Sequence, residues 1–397
     1  MGRTNHERIR ILVALIFAAG LLNFYILLIR VNFDFATLRA LDGRPIALDF
    51  SNFWAASKLA LSGRPILAYN IDELHGIERQ LLGTQHAFLS GFFYPPIYLL
   101  YIIPLGLLSY IPSLIVWVGV TFLLYILVLV NICKNKAIIP LLIVFPGMFE
   151  NMFFGQNAFL SGFLIGGGLL MLNSSPIIAG CLFGFLCYKP QFFPLLLITL
   201  MIGKYWKIII TAISTAILLS IISIIVFGCQ IWSAYFNVMP MPIECLTIGQ
   251  DAWDLMPTFF VAVLSAGFSV IIAYIVQSIV MVIVLMGISW IWMKKDYFEL
   301  KGAILIIGLL LFTPYALLYE MALLALPLCW LWEDGRMRGR LPGESLLLLC
   351  SWLMPFFLQI LWWRLAIFQG KLQIGPLILM LLFLLTLIKG LIWQKQR

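Results

Sequence analysis

Long apolar runs separated by short charged segments are the feature of this sequence that most restricts its fold. The first runs from Ile9 to Ile29, and similar runs recur until residue 393. With a mean hydropathy of +1.06 and 11% charged residues among 397, a soluble globule could not bury these side chains. A bilayer core about 30 Å thick takes roughly 20 apolar residues per helix, so the length allows about 12 spans. We therefore predict an all-α polytopic membrane protein, with residues 1–397 in one integral membrane domain.

The predicted spans follow the apolar runs. They cover residues 9–30, 113–132, 137–153, 158–172, 176–188, 190–203, 206–228, 267–293, 299–313, 317–332, 345–364 and 376–393. Two shorter apolar stretches, 97–110 and 258–267, are interpreted as interfacial or re-entrant helices. The first run is too long for the apolar part of a signal peptide, so it is interpreted as a retained anchor helix.

The basic residues predict the orientation in the membrane. A net charge of +8 could indicate a nucleic-acid partner, but the cations form compact clusters between apolar runs, so no nucleic-acid partner is expected. With both termini in the cytoplasm, the predicted spans put every compact cluster on the cytoplasmic side. These clusters are Lys134/Lys136, Lys204/Lys207, Lys294/Lys295/Lys301, Arg336/Arg338/Arg340 and Lys395/Arg397.

Most acidic residues and all the long loops then lie on the opposite, extracytoplasmic face. The first loop covers residues 31–96 and the second covers 229–257, and the turns 155–157 and 315–320 open on the same side. A transporter usually concentrates polar residues at mid-membrane and often has two similar halves, which are not evident in this sequence. Polarity gathered at one interface indicates chemistry or binding at the outer membrane surface.

A carboxylate begins a helical pattern in the first outer loop. Asp49 precedes Phe50, Phe53, Trp54 and Leu61, whose spacing predicts one face of an amphipathic helix lying in the interface. Gly63 and Pro65 end the pattern, while Ser51, Lys58 and Ser62 would face the other way. Asp49 is either a helix N-cap or a functional group.

The rest of this loop favours the functional interpretation of Asp49. The loop carries cations although it is predicted to be extracytoplasmic, where membrane proteins usually have fewer positive charges. This exception suggests that the loop binds an anionic ligand. The cations are Lys58, Arg64 and Arg79, accompanied by His75 and His86. The loop ends in the aromatic corner Phe92-Phe93-Tyr94-Pro95-Pro96, which would fix it against the bilayer.

The seven cysteines show no metal-ligand spacing. Five of them lie in or at the ends of apolar runs and are expected to behave as small hydrophobic residues. These are Cys133, Cys181, Cys187, Cys329 and Cys350. A disulfide between Cys229 and Cys245 is an open alternative for the other two.

Six segments together resemble a known family. After the Asp49 helix with "SGRPILAYN" come "FFYPPIYLLYIIPLGLL", "FGQNAFL", "IAGCLFGFLCYKPQFFPLLL", "DLMPTFFVAVLSAG" and "TPYALLYEMALLALP". Their order and spacing resemble the bacterial polyprenyl-phosphate-mannose-dependent mannosyltransferases, glycosyltransferase family 87 of the GT-C superfamily. The resemblance covers residues 9 to 332. The family's last motif usually reads Tyr-Asp, whereas this chain has Tyr319-Glu320, which keeps the charge and lengthens its reach.

The resemblance implies an inverting transferase acting on the extracytoplasmic face. A hexose, by resemblance mannose, would pass from a polyprenyl-phosphate donor to a glycan or glycolipid acceptor, and the setting would be a bacterial inner membrane. Asp49 would be the base that takes the acceptor's proton. No divalent metal is expected, because a monophosphate can be stabilised by Lys and Arg.

Other residues receive roles around the donor, each with an alternative. Lys189 in "CYKPQ" is the first candidate for the donor phosphate, followed by Arg64, Lys58, His75 and His86. Alternatively, Lys189 extends to the headgroups and the histidines are merely solvated. Sugar or acceptor contacts are assigned to Gln156, Asn157, Tyr94 and Glu320. The first two could instead cap the helix at Ala158, Tyr94 could serve only in corner packing, and a buried Glu320 requires a partner or a function.

Three other functions remain open. A lipid-linked-sugar flippase or solute transporter would need a polar path across the membrane, and Glu320 and Lys389 are the charges nearest to mid-span. A polysaccharide polymerase would use a large outer loop later in the chain, whereas the longest outer loop here is the first. A non-catalytic partner in a glycan assembly complex is the third.

Overall fold

The structure, a computed structural model, describes residues 16–17, 19–27, 30, 33–34, 39–40, 43, 45–83, 91–248, 253, 255–294, 297–364 and 373–395. This part of the chain is almost entirely helical, as the sequence predicts. One short antiparallel ladder pairs β1 (Phe33–Asp34) with β2 (Arg39–Ala40), and Phe33 stands opposite Ala40.

Eighteen helices are defined after residue 45 of the described chain. They are α1 (Leu48–Leu61), α2 (Ile71–Leu82), α3 (Pro96–Ile102), α4 (Tyr110–Ile132), α5 (Ile139–Ile143), α6 (Pro146–Phe154), α7 (Ala158–Leu170), α8 (Pro176–Phe185), α9 (Phe193–Ile202), α10 (Trp206–Phe227), α11 (Gln230–Val238), α12 (Met241–Ile248), α13 (Phe259–Ser265), α14 (Val270–Trp292), α15 (Phe298–Phe312), α16 (Ala325–Arg338), α17 (Glu344–Arg364) and α18 (Gly375–Lys395). Short 3-10 segments lie at Pro65–Tyr69, Ile103–Leu107, Lys136–Ile138, Leu186–Tyr188 and Leu318–Leu324.

Four described helices are long and apolar enough to cross a membrane: α4, α10, α14 and α18. Each carries exposed large hydrophobic side chains, such as Ile225 on α10 and Ile271 on α14, which are 76% and 72% exposed. Such side chains are stable against lipid rather than water. These helices identify the chain as a membrane protein, while the total of 12 spans stays a prediction.

Two predicted spans are broken helices. Residues 137–153 divide into a 3-10 turn, α5 and α6, because Pro146 cannot donate to the turn before it and begins a new helix. Residues 317–332 begin as the 3-10 segment Leu318–Leu324 and continue as α16, which extends to Arg338. Both departures lie beside the polar turns 155–157 and 315–320.

Helix α15 forms the centre of the hydrophobic core. Its residues from Leu300 to Leu311 are all buried, and it packs against α14, α16 and α18. A smaller cluster around Phe260 joins α13 to the first turn of α14. The chain is therefore organised around a helix that is apolar after its first turn, where Glu299 and Lys301 lie.

The helix that carries Asp49 is buried on all sides in its first half. Every residue from Phe50 to Ser57 is buried, whereas Leu61 at its end is 44% exposed. The predicted polar face carrying Ser51 is therefore covered by protein rather than exposed, while the interfacial position of the helix stays a prediction. Helix α2 and the 3-10 segment Ile103–Leu107 cover that face, so the first outer loop packs as part of the fold.

The cysteines also differ from expectation in part. Cys133, directly after α4, and Cys329, inside α16, form a disulfide rather than standing as separate hydrophobic residues. Cys229 is a free, exposed thiol, so the alternative pairing of Cys229 with Cys245 is not formed.

A cluster of charges joins α16, α17 and α18 at the end of the bundle predicted to be cytoplasmic. The ammonium of Lys389 is 3.0 Å from Asp334 and 2.6 Å from Glu344, and all three are buried. Arg338 pairs with Asp334 and lies 3.6 Å from Glu299. Lys389 is thus held by two carboxylates, as a buried cation in a membrane protein requires.

Candidate functional site

Asp49 lies in the first turn of α1, where its carboxylate faces another part of the chain. The N-cap is Ala47, which makes no side-chain cap and has the left-handed φ of 56°, so the N-cap interpretation of Asp49 is wrong. Asp49 Oδ2 instead accepts a hydrogen bond of 2.9 Å from Gln156 Nε2. The side chain is half-buried and stands at the positive end of the helix dipole, which favours its charged form.

The turn at Gly155 brings Gln156 to Asp49. Gly155 ends α6 with a φ of 66°, and a Cβ there would lie 2.6 Å from Phe50 Cβ and 2.9 Å from Ala47 Cβ. Only glycine satisfies both the left-handed backbone and this close approach to the start of α1. Trp117 Nε1 donates to the Gly155 carbonyl at 3.1 Å and fixes the turn from α4.

The aromatic corner supplies the next group. Pro95 is extended and Pro96 is the first residue of α3, which turns the chain so that Tyr94 points back toward Gln156. The Tyr94 hydroxyl donates to Gln156 Oε1 at 3.3 Å. Gln156 is therefore held between a donor and the Asp49 carboxylate, which fixes the orientation of its amide.

Asn157 extends the polar network inward. Its amide nitrogen donates to the Tyr98 hydroxyl at 3.2 Å, and the Tyr98 ring stacks on Tyr188 with centroids 5.0 Å apart. Asn157 makes no side-chain cap on α7, since Asn151 Oδ1 accepts from the Ala158 N–H at 2.8 Å. The capping alternative for Asn157 is thus wrong, and its side chain serves the network.

A buried ion pair closes the inner side of the site. Lys189 Nζ and Glu320 Oε1 are 2.7 Å apart, and their side chains are 1% and 4% exposed. Lys189 precedes Pro190 at the corner between α8 and α9, and its ammonium lies 6.0 Å from the ring centre of Tyr319. Lys189 therefore does not extend to the headgroups, and Glu320 has the partner that its burial requires.

Two acceptor atoms of this network are buried without a partner among the residues that the structure describes. They are Asn157 Oδ1 and Glu320 Oε2. Both residues interact with Tyr94, whose hydroxyl also lies close to Tyr319. Buried acceptors without a partner are costly, and hydroxyl groups of a ligand could satisfy them.

Burial determines the ionisation of the outer groups of the site. It raises the pKa of Asp49 to about 6, against the opposing hydrogen bond from Gln156. Burial likewise raises the pKa of Tyr94 above its ordinary value, so its hydroxyl remains a donor at neutral pH. At pH 7 Asp49 is thus mainly ionised and only weakly acidic, which suits a general base.

The remaining predicted cations do not converge on Asp49. Lys58 lies about 13 Å further along the α1 axis at 1.5 Å per residue, over the ring of Trp54. Arg64 is exposed after the end of that helix, and His75 is half-buried on α2. His86 lies outside the described residues.

Several residues of the site were missed by sequence reasoning. Tyr98, Tyr188 and Tyr319 lie in apolar motifs, where a tyrosine cannot be distinguished from ordinary core packing. Glu78 is an acid of the first loop that no sequence motif distinguishes, yet it is buried against the Asp49 helix. The sequence signal that could have identified these tyrosines was the occurrence of a tyrosine beside Pro95 and another beside Lys189.

The donor atoms that converge in the site suit an organic ligand. Among the described residues, no three His, Cys, Asp or Glu side chains lie together as a metal site would require. The polar atoms that do converge are one carboxylate base, amides, tyrosine hydroxyls and a lysine–glutamate pair. This set can bind a polyhydroxylated molecule and remove a proton from it.

Comparison with known proteins identifies a family. The model of glycosyltransferase family 87 matches residues 92–314, more than half of the chain. The match contains Tyr94, Gln156, Asn157 and Lys189, while Asp49 precedes it and Glu320 follows it. No curated protein and no solved structure matches.

Proposed function

Because this chain belongs to glycosyltransferase family 87, we propose that it transfers a hexose, mannose by resemblance, from a polyprenyl-phosphate donor to a glycan or glycolipid acceptor. The reaction would invert the anomeric centre and take place on the extracytoplasmic face of a bacterial inner membrane. Membership of the family establishes a glycosyltransferase with a sugar donor and an acceptor. The polyprenyl phosphate, the mannose and the membrane face belong to the proposal.

The contact between Asp49 and Gln156 carries this proposal. It joins a helix of the first outer loop to a turn inside the family match, so that a half-buried carboxylate opens onto the tyrosine and amide network. A pKa of about 6 leaves the carboxylate ionised at neutral pH but basic enough to share a proton.

The proposed reaction is a single displacement. Asp49 removes the proton from the acceptor hydroxyl as its oxygen bonds to the anomeric carbon. The bond between that carbon and the phosphate oxygen breaks on the opposite side, and its electrons leave with the polyprenyl phosphate. A phosphate monoester is a good leaving group, so the base is the one proton-transfer group that the step requires.

The sugar would lie against the amides and Tyr94. The unpartnered oxygens of Asn157 and Glu320 support this assignment, because sugar hydroxyls are hydrogen-bond donors. Gln156 is less available, since it already contacts both Asp49 and Tyr94. It would instead hold the base toward the sugar.

Lys189 remains the leading candidate for the donor phosphate. It is the cation inside the network, although its charge is balanced by Glu320 in this structure. Binding a phosphate would require Lys189 to share its three donors between Glu320 and the ligand. Lys58, Arg64 and His75 would act further out, where they could attract the anionic donor to the surface, and His86 keeps its proposed role from the sequence.

Two further parts of the proposal follow from the chemistry. The polyprenyl tail would lie between apolar helices that open to the bilayer, so membrane lipids are partners of the protein. Lys189 and the loop cations would make a divalent metal unnecessary, and this expectation stays a prediction.

The decisive experiment is turnover by the Asp49→Asn variant. Purified protein with a polyprenyl-phosphate hexose and a mixed glycolipid acceptor should release polyprenyl phosphate, and the variant should lose at least a hundredfold in turnover while still binding donor. Asp72→Asn, which alters an exposed carboxylate of α2, is the matched control and should react like the parent. Equal rates for Asp49→Asn and the parent would overturn the proposal, and donor translocation without turnover would favour a flippase.

A further inference from the structure

A second carboxyl group lies directly behind the helix that carries Asp49. Glu78 on α2 is completely buried, and its Oε1 lies 2.6 Å from Ser51 Oγ, two residues along α1 from Asp49. The charge of Asp49 acts on Glu78, and Glu78 in its ionised form would act on Tyr110. Tyr110 in turn donates to the carbonyls of Ile46 and Ala47, where α1 begins. Glu78 and Tyr110 thus hold the first turn of α1 from two sides.

The contacts of Ser51 indicate the protonation state of Glu78. Ser51 Oγ is 2.7 Å from the Leu48 carbonyl oxygen as well as 2.6 Å from Glu78. A hydroxyl has one proton, and the Leu48 carbonyl can only accept. A protonated Glu78 that donates to Ser51 satisfies both contacts fully, whereas an ionised Glu78 would have to share the single Ser51 proton with the Leu48 carbonyl.

The charges around Glu78 agree with this state. Burial is the main effect that raises its pKa to about 8, and the charge of Asp49 adds to it. A bond donated by Ser51 to the ionised carboxylate and the charge of Arg79 would lower this pKa, but they do not offset the burial. The 3-10 segment between α1 and α2 contributes Tyr69, whose hydroxyl donates to the Tyr94 carbonyl instead. Two neighbouring carboxyls with separate pKa values are typical of a site in which one is ionised and the other neutral.

We propose that Glu78 is a positioning residue of the transferase site, which stays uncharged while Asp49 acts as the base. Its protonated carboxyl holds the first turn of α1 through Ser51 and leaves Asp49 as the charged base beside the donor, while the charge of Glu320 is balanced by Lys189. When Glu78 loses its proton, the second negative charge repels the phosphate of the donor and breaks one of the two bonds of Ser51. This inference rests on the proposed function in taking Asp49 as the base.

The test compares Glu78→Gln with the parent over pH 5 to 9.5. For the parent, kcat/KM should rise through an acid limb near pH 6 and fall through an alkaline limb near pH 8, to about a tenth of its plateau at pH 9. Glu78→Gln keeps a neutral hydrogen-bonding group, so it should retain the acid limb and lose less than twofold at pH 9. Glu73→Gln, an exposed change on the same helix, should keep both limbs.

An alkaline limb that persists unchanged in Glu78→Gln would overturn the proposal. A tenfold loss of kcat/KM in Glu78→Gln at pH 7, with an unchanged melting temperature, would also overturn it. The reaction would then require the ionised form of Glu78. A second measurement separates this inference from the proposed function. The affinity for a short polyprenyl phosphate should weaken from pH 7 to pH 9 in the parent but not in Glu78→Gln. This difference in affinity is expected even if the parent shows no sugar transfer. Equal weakening of binding in both proteins would reject the role of Glu78.

Discussion

At the scale of single residues, the environment of Asp49 determines what it can do. Removing a carboxylate from water disfavours its charge, while the Gln156 amide and the helix dipole favour it. The rise of its pKa from 3.8 to about 6 shows that burial is the larger effect. A fully exposed aspartate would be a weaker base by about two pKa units. The half-buried position of Asp49 therefore supports its proposed chemistry.

Replacing Gln156 should shift the acid limb of the pH profile upward. Gln156→Leu removes the hydrogen bond that lowers the pKa of Asp49, so a higher pH is needed to ionise the base. We expect the midpoint of the acid limb in kcat/KM to move up by about one unit, with activity below pH 7 most affected.

Tyr94→Phe is the control for this prediction. It leaves the donor to Asp49 in place, so the midpoint should stay near that of the parent. A downward shift for Gln156→Leu would show that the amide does not stabilise the carboxylate.

At the scale of elements, breaks in helices place the site. Gly155 ends α6, Pro96 begins α3, and the corner at Lys189 and Pro190 separates α8 from α9. Each break releases side chains from a helix face and directs them to a common region. The polar groups of the site consequently come from turns, whereas the long helices supply apolar support.

The packing of α8 on α10 depends on small residues. A Cβ on Gly184 would lie 2.5 Å from Thr215 Cβ and 2.7 Å from the Ala212 carbonyl oxygen, as expected where helix backbones approach closely. Gly184→Ala should therefore destabilise the protein by about 1–3 kcal/mol and lower its melting temperature in detergent.

Gly119→Ala is the matched change for this prediction. No atom lies within 4 Å of a Cβ at Gly119 on α4, so alanine should stabilise the helix by up to about 1 kcal/mol. Equal melting temperatures for the two variants would contradict the close approach of α8 and α10.

The ion pair between Lys189 and Glu320 joins the corner before α9 to the segment before α16. Lys189→Met leaves a buried carboxylate without its cation, and we expect a loss of about 3–5 kcal/mol in stability. Replacing both by methionine removes the uncompensated charge and should recover most of that loss. Thermal unfolding of the single and double variants measures these changes in stability. Additive losses of stability would show that the two charges are not coupled in the fold.

At the scale of the whole molecule, the polar groups divide between two ends. One end holds Asp49 and its network, and the other holds the cluster around Lys389, with the apolar helix α15 between them. Positive charge in compact clusters predicts that the Lys389 end faces the cytoplasm. The Asp49 end would then face outward, where a lipid-linked sugar and an acceptor can meet.

Labelling of intact cells tests this orientation. Cysteines introduced at Arg64 and at Lys207, two exposed positions, should differ in reactivity in a variant without Cys229, Cys245 and Cys350. A membrane-impermeant maleimide should label position 64 in intact cells and position 207 only after the membrane is opened. The reverse pattern would reject both the orientation and an outward-facing Asp49.

Hydropathy and helix-breaking residues allowed much of the fold to be predicted from the sequence. α4, α10 and α14 agree with predicted spans to within three residues at each end, because the preference of a side chain for lipid is a local property that adds along the chain. Asp49, Gln156 and Tyr94 were also named in advance, because polar groups in turns of a membrane protein are costly and therefore informative.

The pairing of these residues was decided only by the tertiary structure. Asp49 and Gln156 are 107 positions apart, and Lys189 and Glu320 are 131 apart. Contacts over such separations depend on how the helices cross, which no local pattern encodes. Glu78 could not be recognised for the same reason, since its burial comes from packing against α1. The sequence by itself determined a helical membrane protein with polar turns, and the packing of distant turns decided which of their side chains form one site.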